Sequence, residues 1–189
     1  IRKWLENPLS ETPKQNFSNS EYKILGSATL AQDKVADMAK QKGFDVIQLG
    51  ELDGDANLLG KKHADFLTSL KVEKPTLVIS GGETTVTVKG NGRGGRNGEY
   101  LLSLLIALNE NRNIYAIAAD TDGIDGIEHN AGAVILPNTI TRARAAGLNP
   151  QSMLDNNDSY SFFHAINDLI ITGPTRTNIN DFRAALVLP

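Results

Sequence analysis

Residues 89-KGNGRGGRNGE-99 bring together three cations, Lys89, Arg93 and Arg96, with no acid before Glu99, in a chain whose formal net charge is −3. Glycines at 90, 92, 94, 95 and 98 let the backbone approach a ligand closely and turn its N–H groups toward an anion. A helical pattern starts just behind the loop, and a helix N-terminus favours negative charge. Guanidinium groups match carboxylate or phosphate with two parallel hydrogen bonds. The stretch therefore reads as an anion clamp; the plainer alternative is a surface turn with solvated arginines. Gly90, Gly92 and Gly95 also fit G-x-G-x-x-G. That dinucleotide fingerprint needs a buried parallel strand before it and an acid about 20 residues later. Here the preceding run, 84-TTVTVK-89, is half polar, and the acid at that distance, Glu110, closes a helical stretch. Nicotinamide binding is not the expected use, and the P-loop pattern GxxxxGK[ST] is absent.

Two further runs carry chemistry. In 120-DTDGIDG-126 the aspartates follow the apolar run 114-IYAIAAD-120. Ligands in open α/β sheets sit beyond the carboxyl ends of strands, so Asp120, Asp122 and Asp125 are candidates for Mg²⁺ or substrate hydroxyls, against the alternative of an Asx turn. In 172-TGPTRTNIND-181, Thr172, Thr175, Thr177 and Asn178 offer hydrogen bonds to phosphate oxygens or sugar hydroxyls, or else form a hairpin loop. Glu83, in 80-SGGETT-85, is placed to orient an arginine or a hydroxyl, or to cap a turn. His63 shares a helix face with Leu59, Phe66 and Leu67 and reads as packing.

The elements that must position these groups alternate. Strand patterns occur at 23–27, 45–50, 76–81, 84–89, 114–120, 131–135, 168–172 and 184–189, and helical patterns at 29–42, 57–70, 99–109 and 158–168. Runs such as TLVIS and IYAIAA are apolar on both faces, as strands between two helical layers must be. The expected fold is α/β, a three-layer α/β/α sandwich. Gly81-Gly82-Glu83 is too short for a parallel crossover, so 76–81 and 84–89 are expected to form a hairpin, giving a mixed sheet. There is no cysteine, hence no disulfide, thiolate metal site or cysteine nucleophile, which fits a cytoplasmic enzyme. The charge gives no argument for nucleic acid, and no apolar run approaches the roughly 20 residues that span a bilayer.

Taken together, 80-SGGETTVTVKGNGRGGRNGE-99, 119-ADTDGIDG-126 with 131-AGAV-134, and 172-TGPTRTNINDFRAALV-187 resemble the C-terminal MOFRL domain of class II glycerate 2-kinases. That family also contains proteins labelled hydroxypyruvate reductases. The resemblance implies transfer of the γ-phosphoryl group of ATP to the 2-hydroxyl of glycerate, with Mg²⁺, at a site shared with an N-terminal domain that carries a catalytic lysine. It makes Arg96 the match of the family's proposed catalytic arginine, with Arg93 as a second candidate. Lys89, Gly92, Gly94, Gly95, Asn97, Glu83, Thr175, Thr177 and Asn178 become substrate or phosphate contacts, and Asp120 and Asp122 metal candidates. Arg176 departs from the pattern, which usually has glycine there. Residues 1–20, starting at Ile1 without a methionine, read as a linker from a missing N-terminal domain, 21–75 as a leading segment and 76–189 as the core. The implied partners are glycerate, a nucleotide and the enzyme's own N-terminal domain, with a homodimer possible; the fragment alone is expected to be inactive. The alternatives are an NAD(P)H-dependent hydroxypyruvate reductase and a non-catalytic anion-binding domain. Arg96→Ala is expected to lower kcat by orders of magnitude with little loss of stability.

Overall fold

A computed structural model describes residues 2–10, 21, 23–109 and 113–189. Most of the expected linker, and Glu110, lie outside the described residues. The strands are β1 (Asp45–Glu51), β2 (Gly54–Asp55), β3 (Thr76–Gly82), β4 (Thr84–Thr85), β5 (Ile114–Asp120), β6 (Gly132–Ile135), β7 (Leu169–Ile170) and β8 (Asp181–Val187). The helices are α1 (Arg2–Leu5), α2 (Ala28–Gln41), α3 (Ala56–Ser69), α4 (Arg96–Leu108), α5 (Thr139–Ala145), α6 (Pro150–Asp155) and α7 (Ser159–Ala165).

Side-chain caps set the helix starts. Ser27 Oγ accepts from Leu30 N at 3.2 Å, and Asp55 Oδ1 from Leu58 N at 3.0 Å. Residues 23–27 are therefore the extended approach to a cap, not the expected strand. The short helices α5 and α6 escaped the periodicity reading because neither completes two turns of a repeating apolar face.

One sheet runs in the order β1-β3-β8-β5-β6-β7. β1 and β3 are parallel; β8 lies antiparallel between β3 and β5, and β6 and β7 continue antiparallel from β5. The sheet is mixed as expected, but not through a hairpin. Gly82 has φ +100°, and a Cβ there would meet the Leu52 backbone at 2.4 Å. The chain turns away at that point, and β4 pairs with β2 in a separate two-stranded sheet. The segment 76–189 shares its main sheet with β1, so residues from 45 onward belong to the same packed unit.

Helix α2 covers one face over β1, β3 and β8. The other face carries the main core, where Leu101, Leu102 and Leu104 of α4 and Phe162 and Phe163 of α7 are fully buried. Small sheet residues, Ala116, Ala118 and Ala185, let α4 settle onto the strands. Because α2 stops at β8, β5 alternates buried and half-buried residues instead of being buried on both faces.

Candidate active site

Antiparallel insertion of β8 makes its first residue a neighbour of two strand ends. Asp181 pairs in register with Asp120, the last residue of β5, and with Gly82, the last of β3. Three acidic side chains, Asp181, Asp120 and Glu83, are thereby delivered to one edge of the sheet, where α4 begins. Arg96, the first residue of α4, receives them. Its Nε donates to Asp181 Oδ1 and Oδ2 at 3.0 and 2.9 Å, its Nη2 to Asp120 Oδ2 at 2.6 Å, and its Nη1 to Glu83 Oε1 at 3.3 Å. Asp120 and Asp181 are buried, whereas the Glu83 side chain is 59% exposed. Burial works to lower the Arg96 pKa, but the carboxylates outweigh it and the net shift is upward, so the guanidinium stays charged. Burial raises the Asp120 pKa, with the Asp181 charge adding to it; the Asp122 N–H and Arg96 pull the other way.

Behind Asp181 lies Arg183, fully buried, donating to Asp181 Oδ2 at 3.0 Å and to the Gly81 carbonyl at 2.7 Å. Its guanidinium stands 5.5 Å from the Tyr100 ring centre, and Tyr100 OH is 2.8 Å from His63 Nδ1. His63 packs edge-on against Tyr100, in keeping with a packing role, and burial lowers its pKa to about 4.

The N-terminus of α4 is occupied by the protein's own anion. Asn97 N and Gly98 N donate to Asp125 Oδ1 and Oδ2 at 3.0 and 2.8 Å. Burial pushes the Asp125 pKa up to about 6 in spite of those bonds. Arg96, Glu99, Gly92 and Gly95 line a cleft of about 310 Å³ with Val86 and Val88 on its wall. Glu99 and Asn157 also line a second cleft of about 270 Å³, together with Lys61, Lys89, Asp55 and Asp155.

Residues 76–181 match the MOFRL family. The chain belongs to that family. A D-glycerate 2-kinase from Thermotoga maritima is 40% identical over 95% of this chain and 44% of the relative. A protein from Agrobacterium vitis, provisionally named hydroxypyruvate reductase, is 43% identical over 94% of this chain and 42% of its own length. A crystal structure of a Thermotoga maritima glycerate kinase superposes with TM-score 0.88 at 39% identity, covering 95% of this chain and 45% of that one. The chain thus spans less than half the length of these relatives.

Within this MOFRL domain the glycine loop differs from its expected use. The N–H groups of residues 89–93 are turned onto neighbouring chain, not toward a vacant anion site. Lys89 N and Gly90 N donate to Asn157 Oδ1, Asn91 N to Asn156 Oδ1, Gly92 N to the Asn156 carbonyl and Arg93 N to Asp158 Oδ1. A Cβ at Gly90 or Gly92 would meet Asn156 or Asp158 at 2.4 Å, and one at Gly95 would meet Asp125 at 2.4 Å. The glycines make room for neighbouring chain. Gly94, at φ +152°, is crowded in the same way by Ser159. Of the three cations, Arg93 forks onto Glu128 at 2.8 and 2.7 Å and lies 4.4 Å from the Tyr160 ring centre, while Arg96 is held as above. The Arg93 side chain is 57% exposed. The Glu128 bond raises the Arg93 pKa, and Arg93 lowers that of Glu128. Lys89 points into the second cleft.

The other expected contacts are dispersed. Asn97 is fully buried and donates to Asp125 and Asp181, at 3.3 and 2.8 Å, so it links the acid at the start of α4 to one of those around Arg96. Thr175 is spent on the loop itself: its N–H donates to the Asp122 carbonyl and its hydroxyl to the Thr121 carbonyl. Thr177 and Asn178 stand exposed on that loop, with Asn178 Oδ1 accepting from Asn180 N. Asp122 Oδ1 accepts from Ile124 N, an Asx turn, and Asp122 N donates to Asp120 Oδ1 at 3.0 Å. Among the described residues no group of three or more His, Cys, Asp or Glu side chains is arranged to hold a metal ion. Among them, too, no helix is long and apolar enough to cross a membrane. Sequence reading missed Asp181, Arg183 and Glu99. The signal for the first two was present: in 181-DFRAALV-187 an acid and a base occupy the same period-two face as Ala185 and Val187.

Proposed function

We propose that this chain is the C-terminal part of an ATP-dependent glycerate 2-kinase and that Arg96 stabilises the transferring phosphoryl group. The arrangement of the Arg96 guanidinium carries this reading. Two buried carboxylates fix its Nε and Nη2 edges, while its Nη1 edge meets exposed Glu83 at the longest of these bonds, 3.3 Å. A phosphoryl oxygen, more highly charged than a carboxylate, can displace Glu83 there without disturbing the two fixed contacts. Phosphoryl transfer depends on positioning and on charge stabilisation at the equatorial oxygens, which a preorganised arginine supplies. Mg²⁺ keeps several waters and needs only one or two protein carboxylates beside the substrate phosphates. Asp120 and Asp122, whose Oδ1 atoms each accept a backbone N–H, would be the carboxylates to hold it, although they form no all-protein cage. The ion's contribution there would be to neutralise charge on the phosphate oxygens.

The names and coverage of the relatives support a site shared with a further domain; the requirement for that domain's lysine rests on the family resemblance alone. Glycerate and nucleotide are the partners this reading calls for, in the cytoplasm. It is tested on the natural full-length protein by following ATP-to-ADP conversion with D-glycerate, in parallel with NAD(P)H oxidation by hydroxypyruvate. ADP formation dependent on glycerate is the expected result; reductase activity without phosphoryl transfer would overturn it.

A further inference from the structure

Glu99 follows Arg96 by three residues on α4, so the two side chains share one helix face, and both line the 310 Å³ cleft. Glu99 is only 5% exposed, yet among the described residues it forms no salt bridge in the manner of the acids around Arg96. One oxygen, Oε1, accepts from Asn157 Nδ2 at 3.2 Å. Asn157 is itself pinned by the backbone of Lys89 and Gly90, so the carboxylate is oriented by the glycine loop. Glu99 also forms the boundary with the second cleft, which brings Lys61 and Asp55 from the α3 side, Lys89 from the loop and Asp155 from α6 toward it. A buried, oriented carboxylate beside the phosphoryl-stabilising arginine has the placement of a proton acceptor.

We propose that Glu99 takes the proton of the acceptor hydroxyl as that oxygen attacks the γ-phosphorus, an assignment that rests on the kinase reading above. The new oxygen–phosphorus bond forms as the bond to the β,γ-bridging oxygen breaks. That electron pair leaves with ADP, and the hydroxyl proton passes to Glu99, whose Oε2 is the receiving atom while Asn157 holds Oε1. Burial raises the Glu99 pKa, the Asn157 hydrogen bond opposes it, and Asp55 and Lys89 act in opposite senses from the second cleft. The direction is toward a better base at neutral pH.

The test compares wild type, Glu99→Gln and Glu99→Asp in the full-length protein, with thermal melts to confirm folding. Glutamine retains a carbonyl for Asn157 and so preserves the tie between α4 and the loop while removing the base. E99Q should lose about 10²–10⁴-fold in kcat, with KM for ATP little changed, and should lack the acid limb of the wild-type kcat/KM profile. E99D, which keeps a carboxylate, should retain the limb and recover part of the rate. Near-normal kcat in a folded E99Q, or an acid limb that persists in it, overturns the assignment alone. Absence of glycerate phosphorylation by wild type overturns the kinase reading and this role with it.

Discussion

Arg96 is tied to the ends of two strands through Asp120 and Asp181, and that alters what its removal should do. Truncation leaves Asp120 and Asp181, 6% and 2% exposed, without their shared cation. Arg183 still serves Asp181, but Asp120 keeps only a backbone N–H. A buried charge stripped of its partner costs about 1–3 kcal/mol or more. R96A should therefore lose stability by about that amount in urea titrations, as well as kcat; the expectation of a stability-neutral R96A does not fit this geometry. R96K keeps the charge but cannot span three carboxylates, so its melting temperature should fall between R96A and wild type while kcat stays low. Arg176 gives a second residue-scale prediction. Its φ is +62°, a left-handed conformation that costs a side chain about 1–2 kcal/mol and glycine far less. R176G should raise the unfolding midpoint by an amount equivalent to up to about 1 kcal/mol; an unchanged or lower midpoint would mean that the arginine side chain contributes contacts of its own. At this scale the cations were legible, and so was Glu83 as a residue to orient an arginine, but their other partners were not. The acids that meet Arg93 and Arg96 stand 13, 24, 35 and 85 positions away, so the local absence of acids in the loop said nothing about the charge around it.

The elements were more legible than the contacts between them. The long apolar pattern of α4 and the apolar strands β3 and β5 follow from burial and are readable as such. The hairpin was misjudged because a three-residue link excludes a parallel neighbour but does not require an antiparallel one. Gly82 instead sends the chain off the sheet, into space bounded by Leu52. A similar close approach governs α3 against α4. A Cβ on Gly60 would stand 2.6 Å from the Tyr100 carbonyl oxygen and 2.9 Å from Leu104 N. The same interface is stitched by Ser103 Oγ donating to the Asn57 carbonyl at 2.7 Å. Alanine is the better helix former by roughly 1 kcal/mol, but here the helices would have to separate. G60A should destabilise by about 1–3 kcal/mol as an overpacking substitution, measured by chemical denaturation. A stabilised G60A would show that the two helices part without loss.

For the molecule as a whole, two buried groups, Asp125 and His63, are shifted in opposite directions in the acid range. Asp125 rises from 3.8 to about 6, so between those values the folded chain holds a proton that the unfolded chain has released. Its contribution to stability is present below about pH 4 and is lost as pH climbs to 6. His63 falls from 6.5 to about 4, so across nearly the same window the unfolded chain is protonated and the folded one is not. Its contribution is present above 6.5 and is lost as pH drops toward 4. Each group alone gives a slope of up to about 1.4 kcal/mol per pH unit, with opposite signs, so the two largely cancel. Asp125→Asn removes one side of that balance. The amide cannot accept from both Asn97 N and Gly98 N, so D125N starts from lower stability, and the slope rather than the level is the measurement. Urea midpoints taken from pH 7 down to pH 4 should fall steeply with acidification in D125N and stay nearly flat over that interval in wild type. Parallel curves for the two proteins would mean that Asp125 is already ionised throughout, held so by the two N–H groups of α4 against the burial that opposes it.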